Sequence, residues 1–185
     1  MIPISSKKIT VIIAHRGPEN HLKDTFLDLK PWFENIIVVG LESSNLSPLI
    51  KDHGGSWINS NSPHIGVLWA EGIRIHNSDW YILTQSTEYL SAVLKESIIE
   101  TINKNEVKPI FYSFEGKKFF LGQRLKYNLG WTHDPSSGLL FNQRDPFSYD
   151  DFFNSVKVIP IKGELTHFGE KTLGEAILNS IHRSD

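Results

Sequence analysis

The stretch DWYILTQSTEYLS, residues 79–91, decides how this chain is read. Its apolar run from Trp80 to Leu83 has the character of a buried strand. Polar residues follow at once, and then an apolar pattern at helical spacing. In α/β sheets the chain just beyond a strand's carboxyl end is where ligands are held. A pair of carboxylates there would make a cation site. This chain carries Gln85 and Thr87 instead, with only Glu88 charged.

Working outward, the same alternation recurs on both sides. ITVIIAH (residues 9–15) is a near-continuous β-branched run, the mark of a strand buried on both faces. Leu22, Phe26, Leu29 and Phe33 then keep helical spacing, and Pro31 ends or kinks that helix. NIIVVGLE (35–42) reads as a second buried strand, a short helix follows around 48–53, and SWINS supplies a brief third strand. Ile65, Leu68, Trp69, Gly72 and Ile73 form a stripe that predicts a helix over 65–77. The fourth strand is expected over 80–84 and the next helix over 91–103. This β-α-β-α order predicts a mainly parallel sheet with helices on both faces. Trp69 and Trp80 are expected in its core.

From about Val107 the pattern becomes irregular. PIFYSFEGKKFFLG reads as a hairpin turned at Glu115–Gly116, GLLFN and VKVIPIKGELTHF as short strands, and KTLGEAILNSIHR as a closing helix. The expectation is one domain over 1–185 in two halves, 1–106 and 107–185.

Composition narrows the class. The 185 residues carry a formal net charge of −2, without the concentrated Lys/Arg surplus of a nucleic-acid binder. Cysteine is absent, which excludes disulfides and thiolate metal sites and fits a reducing cytosol. No window approaches the ~20 apolar residues of a membrane span. A cytoplasmic protein is expected, with attachment to the inner face of the membrane left open. There is no phosphate-loop GxxxxGK[ST], no GxGxxG, no GxSxG elbow and no HExxH pair.

The order of segments resembles family 2 glycosyltransferases of the GT-A fold, most closely the branch that extends lipopolysaccharide core and related glycans. ITVIIAHRGPENHLKDTFLDLKPWFENIIVVGLESSN is similar to that family's opening: a first strand, a polar loop, a helix, a second strand and a Ser-rich turn. SDWYILTQSTEYLSAVL falls where the family has a Gly-Asp-Trp strand running into Asp-x-Asp-Glu. LGWTHDPSSGLLFN resembles its later Gly-Trp-x-x-Asp segment, and IKGELTHFGEKTLGEAI its closing Gly-x-Leu-x-His segment. The likeness spans roughly residues 8 to 180. It implies a nucleotide-sugar-binding half over 1–106 and an acceptor-side half over 107–185.

The resemblance also implies roles, residue by residue. The Asp-x-Asp pair would hold a divalent metal on the donor diphosphate, and here its positions are Gln85 and Thr87, with Glu88 matching the trailing acid. The strand-end Asp that contacts base or ribose is replaced by Gly40, with Glu42 two residues on. No firmly held cofactor is therefore expected; Mg²⁺ or Mn²⁺ would bind only if Glu88 and His167 sufficed. Asp134 matches the acidic residue suited to take the acceptor's proton, although before Pro135 it could equally start a turn. His167 matches the closing His and could also be structural. Glu88 could hold a sugar hydroxyl or merely charge the next helix's N-terminus. His15, Arg16 and Glu19 end the first strand, where the loop would meet the nucleotide. Arg124, with Lys126, could offset diphosphate charge bidentately or simply be solvated. Trp131 could stack on an acceptor sugar.

Two readings follow. One is an inverting hexosyltransferase, metal-independent or nearly so, acting on a nucleotide-sugar donor and a glycan or lipid-linked saccharide. The other is a non-catalytic GT-A-like protein that binds a saccharide or a partner subunit. Loss of the acids at 40, 85 and 87 favours the second; Asp134, Glu88 and His167 favour the first.

Overall fold

The computed structural model describes residues 7–16, 19–41, 45–104, 111–120, 123–124, 139–142 and 158–168. Thirteen elements run through them: β1 (Ile9–His15), α1 (Glu19–Leu29), β2 (Asn35–Gly40), α2 (Ser47–Asp52), β3 (Ser56–Asn59), α3 (Ile65–Ile75), β4 (Trp80–Gln85), β5 (Glu88–Leu90), α4 (Ala92–Lys104), β6 (Phe111–Phe120), β7 (Gln123–Arg124), β8 (Leu139–Phe141) and β9 (Val158–Phe168). The strands form one sheet in the order β3-β2-β1-β4-β8-β6-β9-β5, with β7 paired to β6. From β3 to β4 every pairing is parallel, with Val11 opposite both Ile36 and Ile82. Beyond β4 the sheet becomes mixed: β8 is antiparallel to β4 and β6, whereas β6 and β9 run parallel.

The parallel strands read as unbroken apolar runs because both their faces are covered. Val11, Ile13, Val38 and Ile82 meet Leu22, Phe26 and Leu29 of α1 and Leu94, Ile98 and Ile102 of α4. On the other face Ile12, Ala14, Val39 and Leu83 meet Ile65, Leu68, Trp69 and Ile73 of α3. The four helices expected before residue 104 and the first four strands are thus present, with Trp69 and Trp80 only 3% and 2% exposed. Gly72 lets α3 approach closely, since a Cβ there would sit 2.7 Å from Ile12 Cγ2. Lys95 ties α4 to α1 through Asp28 at 2.7 Å, and its ammonium lies 5.6 Å from the Trp32 ring centre.

One local expectation is overturned. Glu115 and Gly116 do not turn a hairpin; they continue a single ten-residue strand, β6. What the glycine-containing stretch marks is a break in register, where Phe114 pairs with Ile161 but Glu115 pairs with Glu164. The segment that follows β9, expected as a closing helix, lies outside the described residues.

Candidate functional site

The carboxyl ends of β1, β2 and β4 lie side by side. His15 pairs with Gly40, and Ala14 with Gln85. The chain is held as it leaves this edge: Ser60 N–H donates to the Gly40 carbonyl at 2.8 Å and Ser86 N–H to the Ala14 carbonyl at 3.0 Å.

His15 fills the edge at Gly40. A Cβ on Gly40 would stand 3.0 Å from the His15 carbonyl oxygen and 3.3 Å from its Cδ2. Any side chain at 40, an aspartate included, would therefore crowd His15. The ring is 6% exposed and meets Trp57 edge-on at 6.0 Å. Its Nδ1 is buried without a hydrogen-bond partner among the described residues. Burial pushes the His15 pKa down to about 4, against a smaller opposing pull from Glu19.

That value has a consequence for stability. The unfolded chain takes up a proton near pH 6.5, while the folded chain does so only near 4. Between these limits the unfolded state binds more protons, so the His15 contribution is fully present above pH 6.5 and is lost as pH falls towards 4. We expect His15→Gln to flatten the fall in melting temperature between pH 6.5 and 4. Titration of the His15 ring by NMR checks the cause; a midpoint at or above 6 would rule it out.

The residues after β4 fold back on themselves. Glu88 is 1% exposed, and its carboxylate is engaged by its own neighbours. Oε2 accepts the Gln85 backbone N–H at 2.8 Å and the Thr84 hydroxyl at 3.1 Å, and Oε1 accepts the Gln85 side-chain amide at 3.2 Å. Across the β5–β9 pair, His167 Nδ1 stands 3.7 Å from Oε1. The loop is fixed from two further sides. Thr25 of α1 donates to the Ser86 carbonyl at 2.8 Å, and Phe168 N–H to the Thr87 carbonyl at 2.9 Å.

The structure thus gathers His15, Gly40, Gln85, Thr87, Glu88 and His167 at one edge. Arg16 and Glu19 flank it: Arg16 is exposed with Nη1 3.5 Å from the Pro63 carbonyl, and Glu19 accepts the Asn45 N–H at 3.0 Å. Arg124 lies in β7, paired with Phe119 of β6. Glu42, Lys126, Trp131 and Asp134 lie outside the described residues. Sequence reading missed Thr25, Thr84 and Trp57 as supports. Thr25 does fall on the inward stripe of α1, where a hydroxyl needs a partner, and that signal could have found it.

The donor set fits a hard divalent cation poorly. Such ions want several negatively charged oxygens, but both acid-pair positions are neutral and Glu88 already accepts three hydrogen bonds. No group of three or more His, Cys, Asp or Glu able to hold a metal occurs among the described residues. What the arrangement offers is a buried, fully supported carboxylate behind a half-exposed His167, beside a neutral His15.

No family model and no curated protein sequence matches the chain. Solved structures do. The chain is similar to Staphylococcus aureus TarS 1–349 in complex with UDP-GlcNAc (TM-score 0.62, 14% identity, 91% of this chain and 60% of that one). It is similar to glucosyl-3-phosphoglycerate synthase from Mycobacterium tuberculosis, in complex with Mn²⁺, UDP and glucosyl-3-phosphoglycerate (0.60, 12%, 97% and 77%). It is also similar to the inositol-1-phosphate CTP transferase of Thermotoga maritima (0.60, 10%, 94% and 93%). At these identities the likeness is one of fold, and the fold is GT-A-like. The chain spans 60% of the TarS chain. No described helix is long and apolar enough to cross a membrane.

Proposed function

We infer that this protein transfers a sugar from a nucleotide-sugar donor to a glycan or lipid-linked saccharide, as an inverting family 2 enzyme of the lipopolysaccharide-core type that needs no divalent metal. The observation that carries this reading is the strand-end cluster itself. In a GT-A-like sheet, the carboxyl edge of β1, β2 and β4 is where a nucleotide is held, and here that edge gathers His15, Gln85, Glu88 and His167.

On this reading, Glu88 holds the Gln85 loop and His167 in place beneath the donor. Arg16 and Arg124 offset diphosphate charge, a task guanidinium groups perform bidentately. Asp134 takes the proton of the acceptor hydroxyl as that oxygen attacks the anomeric carbon, and the nucleoside diphosphate departs from the opposite face. Trp131 packs against the acceptor sugar. The protein works in the cytoplasm or at the inner face of the membrane.

A thermal-shift panel of UDP-, GDP-, ADP- and CMP-sugars tests the donor. A ligand at 100-fold over its Kd adds about 2.7 kcal/mol, which for a protein of this size raises the melting temperature by roughly 5–10 °C. We expect one nucleotide class to do so equally with Mn²⁺ and with EDTA, and Mn²⁺ alone to do nothing. A shift seen only with Mn²⁺ would refute metal independence, and no shift with any donor would refute the transferase. CTP belongs in the panel because the chain spans 93% of the CTP transferase it is similar to. The second reading, a non-catalytic saccharide binder, is favoured by the neutral side chains at 40, 85 and 87. It predicts glycan binding without any nucleotide response.

A further inference from the structure

The β5–β9 pair has a second face. Side chains alternate along a strand, so with Glu88 and His167 on one side, Tyr89, Thr166 and Phe168 share the other. A recess of about 400 Å³ opens there, lined by His21 of α1, Tyr89, Leu90, Ser91 ahead of α4, Thr166 and Phe168. This volume lies within the range of small-molecule sites, ~300–1,000 Å³.

Its chemistry is of two kinds. The first is aromatic: Tyr89 meets Phe168 edge-on at 5.2 Å, and Phe119 of β6 stacks on Phe168 at 5.6 Å. All three rings are only half-buried, so part of each remains outside the core. The second is neutral and polar. Thr166 brings a hydroxyl, and the Ser91 Oγ accepts the N–H groups of Glu164 and Leu94, at 3.1 and 3.2 Å, while keeping its own proton to donate. Tyr89 brings a phenol that is protonated at neutral pH and already hydrogen-bonded to Thr25 of α1. His21 is 6% exposed. Among the described residues no Asp, Glu, Lys or Arg lines the recess, although Asp24 and Asp28 of α1 act on the Tyr89 phenol from nearby.

The charges nearest this face are largely committed, Lys117 to Glu164 and Asp28 to Lys95, and none of them lines the recess, so a charged ligand gains little here. A purely apolar one would strip water from hydroxyls without replacing it, at a cost. A neutral ring with an apolar face and a hydroxylated rim satisfies both halves. We propose that this recess is a saccharide subsite, holding one neutral pyranose unit of the acceptor glycan on the face of the β5–β9 pair turned away from Glu88. It rests on the transferase reading for its purpose, but it binds sugar without nucleotide and is tested separately.

Saturation-transfer NMR with methyl glucoside, galactoside, mannoside and N-acetylglucosaminide, each without nucleotide, provides the probe. At least one should receive saturation at its ring protons. Tyr89→Ala should weaken that ligand by about 10-fold. Thr166→Val, which keeps shape and removes one hydroxyl, should weaken it by about 5-fold. A melting curve on each variant confirms folding, and the valine variant carries the test if the alanine one unfolds. No transfer to any of the four pyranosides overturns the subsite, and so does transfer that neither change reduces. Pyranoside binding without any nucleotide-sugar response would instead sink the transferase reading and leave the subsite standing.

Discussion

Asp134→Asn is expected to slow sugar transfer by at least ~100-fold, about 2.7 kcal/mol of barrier, while donor affinity stays nearly the same. The size follows from the step. A base that accepts the acceptor's proton contributes typically ~10²–10⁴-fold, and asparagine keeps the shape of aspartate while removing its basicity. The donor does not depend on that proton, so its thermal shift should be retained. Folding should survive as well, because asparagine suits a turn before Pro135. Initial rates with the responding nucleotide-sugar decide the matter. If the variant turns over as fast as the parent, Asp134 is a turn residue and the proton goes elsewhere.

A comparably large effect is expected on stability at Gly163. Its φ of +118° lies where side chains are rarely tolerated, and a Cβ there would come within 2.5 Å of both the backbone N and Cα of Leu94. The first fault costs about 1–3 kcal/mol, and forcing α4 away from β9 adds about 1–3. Two hydrogen bonds next to it would be disturbed: Glu164 N–H to Ser91 Oγ, and Ser91 N–H to the Glu164 carbonyl at 2.9 Å. We expect Gly163→Ala to cost at least ~2 kcal/mol, lowering the melting temperature by at least roughly 4–8 °C for a chain of this length. Gly116→Ala is the control: an added Cβ there meets nothing within 4 Å, so the change should stay within ~0.5 kcal/mol. Similar melting temperatures for the two variants would contradict the crowding described at Leu94.

These two glycines also show where sequence reading worked and where it stopped. β1, β2 and β4 were legible because burial on both faces forces an unbroken apolar run, and α1, α3 and α4 because burial on one face leaves a stripe. Glu115–Gly116 carries the same residue types as a tight turn, and only the partner strand, with Gly163 opposite the irregularity, makes it a continuous strand instead. β5 has three residues, too few for any period to register, and exists because β9 pairs with it. At the site, His15 and Gln85 could be placed at strand ends from pattern alone. That the Gln85 amide donates to Glu88 could not, since amide and carboxylate carry no local sign of being paired. The approach of His167 to Glu88 is a tertiary fact with no local trace.

The sheet order has a consequence for assembly. Only Ser86 and Thr87 separate β4 from β5, yet β8, β6 and β9 intervene between them in the hydrogen-bond path. The sheet therefore curls until its last strand returns beside its fourth. Contacts of long sequence separation are slow to form, because chain entropy is lost before they reward it. The strands β1 to β4 and their helices can consolidate as the chain leaves the ribosome, N-terminal parts first. β5 cannot: its partner, β9, begins only at Val158. Until then Glu88 has its hydrogen bonds from Thr84 and Gln85 but no β9 beside it. The site is consequently among the last parts of the sheet to close, and a nascent or truncated chain would hold a nearly complete edge of β1, β2 and β4 with the Glu88 carboxylate still open to water.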